Sequence, residues 1–273
     1  MASIVNRGSY ADAADKLTAD TSTASAQQLA TVADEVLSVA GLLRAQPRLR
    51  RALTDPSRAP ADRAGLLRGL LSGKMSKATV DALTTLVAGR WSRPTEVLDA
   101  TERLGVDAVL RSAQKAGTLA DVEDELFRFA QIVAGTPQLA VTLSDPGAPT
   151  ARRVKLVEDL LRGKAQPATL RLVEVALEGF GGRSFEFSLT RLIELTAAKR
   201  DREVAYVTVA KPLDDAEEQR LTAKLSDMYG RQVSLKIDVD QHVIGGVSVR
   251  VGADLYDGTV LRRLTEAKQA FAR

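Results

Sequence analysis

"QPRLRRALTDPS" at residues 46–57 returns as "TPQLAVTLSDPG" at residues 136–147, a shift of 90. Extended outward without gaps, Asp34–Arg90 set against Asp124–Phe180 gives 18 identities in 57 pairs. "DEVLSVAGLL" meets "DELFRFAQIV", and "LLRGLLSGKMSKAT" meets "LVEDLLRGKAQPAT". About a third of the mismatches exchange one apolar residue for another, and with the identities they mark a duplicated unit.

The punctuation of the two copies agrees. Pro47 and Pro137 each stop a preceding helix. Asp55-Pro56 and Asp145-Pro146 are turn signals. Gly73 and Gly163 fall at helix C-termini, where glycine adopts the left-handed conformation cheaply. Between these marks the apolar period is helical. Val36, Val39, Ala40 and Leu43 follow i, i+3, i+4, i+7, and Leu126, Phe129, Ala130 and Val133 repeat the pattern. Leu66, Leu67, Leu70 and Leu71 form a short amphipathic helix echoed by Leu156, Val157, Leu160 and Leu161. Each copy reads as four or five helices of about 10–20 residues that close into a bundle, since no single helix can bury its own stripe. Thr95 to Ala116 reads as one long helix or two close ones, ending the first bundle and beginning the second.

From Arg202 the period changes from helical to alternating. "EVAYVTVAKPL" places Ala205, Val207 and Val209 on one face. "QVSLKIDVD" sets Val233, Leu235, Ile237 and Val239 opposite Ser234, Lys236, Asp238 and Asp240, and "GVSVRVG" repeats the pattern with Val247, Val249 and Val251. Between the first two strands Asp214 and Glu217 form a capping box for a helix with the stripe Leu221, Leu225 and Met228, ended by Gly230. Asp257 is expected to cap a last helix with the stripe Leu261, Leu264, Lys268 and Phe271. The fold class is therefore mainly α with a small α+β C-terminal domain: two repeated helical bundles, residues 1–104 and 105–201, then a β-α-β-β-α unit, residues 202–273.

Composition narrows the function. The 273 residues include no cysteine and one histidine, which excludes disulfides, thiolate catalysis and Cys-based zinc sites. The one histidine, His242, lies in "DVDQHVIGGVSVRVGADLYDG" (238–258), between two strands. It lacks an orienting carboxylate, because Asp238 and Asp240 alternate to the solvent side. Gly245-Gly246 reads as a bend or bulge at the start of a strand, and Asp257-Gly258 as the turn into the last helix. The stretch is thus a hairpin plus a helix cap, with no chemistry. "GLLSGKMS" (69–76) fails as a phosphate loop: Gly69 is one residue too close to Gly73, Met75 follows Lys74, and no strand precedes it. Trp91 reads as bundle packing. No catalytic residue, metal ligand or cofactor site is expected. The net charge of +3 is mild and the arginines are scattered, as on solvated helix faces. No apolar run approaches the roughly 18 residues of a membrane span, and "MASIVNRGSYADAADKL" lacks the apolar core of a signal peptide, so the chain is expected in the cytoplasm.

Residues 210–264, "AKPLDDAEEQRLTAKLSDMYGRQVSLKIDVDQHVIGGVSVRVGADLYDGTVLRRL", resemble the C-terminal half of the ATP synthase delta subunits, a family that includes the mitochondrial oligomycin sensitivity-conferring protein. The resemblance rests on Ile244-Gly245-Gly246 and Asp257-Gly258-Thr259, with Gln241 where the family often has Pro and Thr259 where it often has Ser. "KAGTLADVEDELFRFAQIV" followed by "LSDPG" resembles the family's opening bundle, so 105–273 covers a whole ordinary delta subunit and 1–104 adds a bundle, as in the long form of high-GC actinobacteria. The resemblance implies a non-catalytic stator. The bundle would grip N-terminal helices of alpha subunits, and the C-terminal domain would hold the C-terminal region of the b stalk, through Ile244, Gly245, Gly246, Asp257, Gly258, Leu261 and Leu264. It implies a peripheral protein on the cytoplasmic side of the cell membrane, with no direct membrane insertion, nucleic acid or cofactor. The second bundle is favoured for the alpha helices, leaving the stalk or a second alpha chain to the first. Rival readings are a helical-repeat adaptor or an RNA-binding regulator, the latter short of aromatic residues on its strands. An enzyme is a third, for which no nucleophile–base set is present.

Overall fold

The computed structural model describes residues 7–201, 204–229, 233–240, 245–251 and 254–258. The chain divides into two compact units, Met1–Thr196 and Ala197–Arg273. The first is all helix: α1 (Arg7–Asp20), α2 (Ala26–Ala45), α3 (Pro47–Thr54), α4 (Pro60–Leu71), α5 (Lys77–Ala88), α6 (Pro94–Lys115), α7 (Leu119–Gly135), α8 (Pro137–Ser144), α9 (Thr150–Leu161), α10 (Pro167–Leu177), a 3-10 turn (Phe180–Gly182) and α11 (Phe185–Asp201). Helices α2 to α5 and α7 to α10 are the two copies, matched element for element.

The repeated residues do repeated structural work. Pro47 and Pro137 stand at the first positions of α3 and α8, where a missing N–H costs nothing. Asp55 and Asp145 each accept a backbone N–H two residues on, from Ser57 at 2.9 Å and Gly147 at 2.8 Å. Glu35 and Glu125 reach across each bundle to the start of α5 and α10. Glu35 accepts from the Ser76 N–H at 2.9 Å and from the Thr79 hydroxyl; Glu125 accepts from the Gln166 N–H at 2.8 Å and the Thr169 hydroxyl at 2.5 Å. A carboxylate from another helix thus satisfies donors that the first turn leaves free.

The stretch between the copies is a single helix, α6. Shifted by the repeat, α1 falls on 97–110 and α11 on 95–111, both inside α6. One helix therefore closes the first copy and opens the second. A helix serving two bundles must be apolar on most sides. Val97, Ala100, Leu104, Val106, Ala108, Val109 and Leu110 are all buried. One continuous core runs from Ala13 to Leu195 through both copies. Trp91 packs against that core and donates from Nε1 to the Leu86 carbonyl at 3.0 Å, as bundle packing requires.

The second unit comprises β1 (Val204–Val209), α12 (Asp215–Tyr229), β2 (Ser234–Val239), β3 (Val247–Val251) and β4 (Asp254–Asp257). The capping box forms as read: Asp214 Oδ1 accepts the Glu217 N–H at 2.7 Å, and Glu217 Oε2 accepts the Asp214 N–H at 3.1 Å. Ala205, Val207, Val209, Val249 and Val251 make the core with Leu225 of α12.

The strand order is β2-β1-β3-β4, and this corrects the hairpin expected at 238–258. Strand β1 lies between β2 and β3, parallel to the first and antiparallel to the second. A β-α-β crossover makes β1 and β2 parallel neighbours, and β3 then pairs with the open edge of β1 rather than with that of β2. The actual hairpin joins β3 to β4, which pairs Ser248 with Asp257 and Val251 with Asp254. Asp257-Gly258 thus belongs to the sheet, and Gly258 extends the ladder by donating to the Val247 carbonyl at 2.9 Å. The last helix expected after Asp257 lies outside the described residues.

Candidate partner-binding surfaces

Of the seven residues singled out in the C-terminal unit, Ile244, Leu261 and Leu264 lie outside the described residues. The other four come together at one end of the β3–β4 hairpin. Gly245 and Gly246 have φ of 80° and 89°, a backbone that L side chains rarely adopt, and they lead directly into Val247. Asp257 and Gly258 close β4 beside that same residue. Asp257 is half-buried and Gly258 exposed, so the corner presents mostly backbone. Among the described residues no three His, Cys, Asp or Glu side chains are grouped to hold a metal ion.

The bundles carry a surface that periodicity alone does not single out. Large apolar side chains reach solvent on the second copy where the first copy buries or replaces them. Phe127 of α7 is 53% exposed, whereas its counterpart Leu37 is 5% exposed. Leu37 is covered because α2 runs close to α6: a Cβ on Gly105 would stand 2.6 Å from the Leu37 side chain. Phe187 of α11 is 69% exposed and its counterpart Val97 is fully buried. Val141 of α8 is 71% exposed where the first copy has the exposed Arg51. The exchange of a charge for a valine is the one part of this asymmetry visible in the aligned repeats.

The second copy also holds a groove of about 370 Å³. Phe129, Ile132, Leu139, Leu160 and Leu161 give it an apolar floor, with Ile132 55% exposed. Arg128 and Lys164 stand at its rim. The third charged lining residue, Glu125, is engaged by the first turn of α10. Arg128 and Lys164 outweigh that one carboxylate, so the net charge of the groove lining is positive. An open apolar trough with basic edges suits an amphipathic helix that carries acidic residues beside its apolar stripe.

Residues 106–271 match the family described as ATP synthase delta (OSCP) subunit. The chain belongs to the ATP synthase delta (OSCP) subunit family. The ATP synthase subunit delta of Salinispora arenicola (strain CNS-205) is 60% identical over 273 residues, covering all of both chains. That of Parafrankia sp. (strain EAN1pec) is 45% identical over 248 residues, 91% of this chain and 89% of the relative. That of Streptomyces griseus is 43% identical over 258 residues, 94% of each. A chain from the cryo-EM structure of the Toxoplasma gondii mitochondrial ATP synthase hexamer aligns with a TM-score of 0.37 and 20% identity, over 62% of this chain and 95% of that one. The delta (OSCP) match begins inside α6, while the Salinispora and Streptomyces relatives extend through the first copy as well. The delta (OSCP) chain is thus a peripheral-stalk subunit of the proton-translocating F-type ATP synthase. The readings as an adaptor or an RNA-binding regulator find no support in these matches. Among the described residues no helix is long and apolar enough to cross a membrane.

Proposed function

We propose that this delta chain acts as a non-catalytic strut on the cytoplasmic side of the membrane. Its second helical copy takes the N-terminal helix of an alpha subunit, and its C-terminal unit takes the C-terminal region of the b stalk. The observation that carries the first assignment is the apolar groove of the second copy at Ile132 and Leu160, with Phe127 and Val141 also exposed on its helices α7 and α8. In the first copy the equivalents of Phe127 and Val141 are the buried Leu37 and the charged Arg51, while those of Ile132 and Leu160 are Leu42 and Leu70, each 39% exposed, so the contrast lies at Phe127 and Val141 and in the greater exposure of Ile132. A strut under rotary load needs a large apolar interface and slow dissociation, and no reacting group. The C-terminal assignment rests on the resemblance of residues 210–264 to the family's stalk-binding half.

The test uses the tagged full chain in its own cells, with membranes solubilised gently and the recovered alpha, beta and b subunits quantified. Ile132→Glu puts a charge on the groove floor, and recovery of alpha should fall about tenfold with b retained. Leu42→Glu, the equivalent change in the first copy, should leave alpha recovery within about twofold. The reverse pattern would assign the alpha helix to the first copy. Loss of residues 240–273 should abolish recovery of b; retention of b would place the stalk contact elsewhere.

A further inference from the structure

Four residues of the helical unit meet where the two copies join. Glu102, on the shared helix α6, has a side chain only 2% exposed. Its Oε1 accepts from Arg44 Nη2 at 2.7 Å, and its Oε2 accepts from the Gly181 N–H at 2.7 Å. The other arm of Arg44 reaches Glu178 Oε2 at 2.6 Å. Arg44 belongs to α2 of the first copy, whereas Glu178 and Gly181 belong to the end of α10 and the turn after it, in the second copy. Gly181 has φ of 65°, and the left-handed turn around it aims its N–H back at α6. A second bridge, from Arg171 Nε of α10 to Asp34 Oδ1 of α2 at 2.8 Å, also spans the copies.

The contacts of the four do not recur in the other copy. Shifted by 90, Arg44 falls on Ala134, Glu178 on Ala88 and Gly181 on Trp91, while Glu102, on the shared helix, falls on Leu192 of α11 and on the exposed Asp12 of α1. Each copy alone would have no use for this set, because its members face one another only when the two bundles are joined. A buried ion pair adds little net stability over apolar packing, but it penalises any arrangement that separates its members. We infer that Glu102 is a positioning residue that holds the two copies in one orientation, so that the duplicated region moves as a single lever and not as two bundles hinged on α6. This inference rests on the fold alone, and its failure would leave the groove assignment untouched.

The chain has no cysteine, so a labelling pair can be introduced cleanly. Ala61→Cys and Ala151→Cys are exposed, equivalent positions on α4 and α9. Spin labels there report the distance between copies in the free full-length chain by pulsed electron paramagnetic resonance. One narrow distance distribution is expected. Glu102→Gln should widen it about twofold with helical content unchanged, Arg44→Gln should widen it similarly, and the double variant should widen it no further, as for one coupled network. Glu35→Ala, which removes a cap within the first copy, should lower stability and leave the width alone. An unchanged width in folded Glu102→Gln overturns the inference, as does equal widening by Glu35→Ala. If Glu102→Gln does not fold, Arg44→Gln decides: its side chain is 30% exposed, and an unchanged width there overturns the inference equally.

Discussion

Glu35 and Glu125 are identical residues doing one task in two places, whereas Arg63 and Arg153 are identical residues doing two. Arg63, almost fully buried in α4, donates to the carbonyls of Val87 at 3.2 Å, Ala88 at 2.9 Å and Gly89 at 2.8 Å, and to that of Asp55 at 3.1 Å. It closes the C-terminus of α5. Arg153 reaches only the Leu143 carbonyl at 2.9 Å and the Thr150 hydroxyl at 3.1 Å, and its buried Nε has no partner. After α10 the chain turns through left-handed glycines and bonds to the Glu102 carboxylate of α6 instead. A duplicated sequence thus preserves a contact whose two ends both recur, as Glu35 and Glu125 do across 41–44 residues, but lets contacts diverge where the chain leaving each copy takes a different course.

The largest expected effect breaks that pair apart. Arg63→Ala strands several buried carbonyls at a helix end, and should cost about 3 kcal/mol or more of the stability of the helical unit. Arg153→Ala should cost about half as much, because fewer partners are lost and one poorly satisfied donor is removed with it. Urea unfolding of the full chain, followed by the helical signal, separates the two. Equal losses would mean that the shared residue does the same work in both copies.

Gly89 and Gly179 sharpen the comparison at smaller scale. Both are identities of the repeat. Gly89 has φ of −62°, open to any residue, but a Cβ there would lie 2.2 Å from the Ser9 hydroxyl of α1. Gly179 has φ of 84°, and a Cβ would also lie 2.9 Å from the Arg183 carbonyl. Either substitution to Ala should cost about 1–2 kcal/mol, the first through crowding and the second through backbone strain. The distinguishing result is rescue. Ser9→Gly should restore most of the stability lost in Gly89→Ala, while no trimming of a neighbouring side chain should restore Gly179→Ala. A Gly89→Ala variant that Ser9→Gly leaves unimproved would refute the packing account.

Helix ends were legible because their signals are local. Pro47, Gly73, Asp55 and the Asp214–Glu217 box each act within four residues, so spacing along the chain is spacing in the structure. The same holds for the faces of β1 and β3, where alternation placed Val207 and Val249 inward. Strand neighbours are a different matter. Alternation says which way Val239 points but not which strand lies beside it, and the four residues "DLYD" of β4 are too short an alternation to announce the strand that pairs with β3. The partner surface was hidden for a related reason. Phe127 sits in the same helical register as Leu37, and only the close approach of α6 to α2 at Gly105 makes one buried while the other is exposed. Long-range ion pairs such as Arg44–Glu102 leave no periodic trace at all, although their failure to repeat is visible once the copies are aligned.

That failure to repeat predicts the smallest effect, one of pH. Burial raises the Glu102 carboxyl above the ordinary glutamate value, against the opposing pull of the Gly181 N–H and of Arg44. Burial likewise raises Glu174, against Arg171, and Asp99, against Arg93 and Arg183. A carboxyl that titrates higher in the folded chain than in the unfolded one keeps its proton longer in the fold. Its contribution to stability is complete below the ordinary value of about 4.3 and is lost as pH rises through the raised one. Asp55 is lowered by its bonds from Ser57, and Asp81 by its bond from Lys77. Their effect has the opposite sign and falls in more acidic solution, so the windows do not overlap. Stability of the helical unit should therefore decline gently from pH 4.5 toward pH 7.5. Glu102→Gln should make that decline shallower, whereas Leu192→Met, at the equivalent position of the second copy, should leave its slope as it is. Urea midpoints at the two pH values measure both. A slope unchanged by Glu102→Gln would mean that the junction carboxyl is neutralised by its partners at every pH, and that burial, the one property its repeat counterpart shares, does not govern its charge.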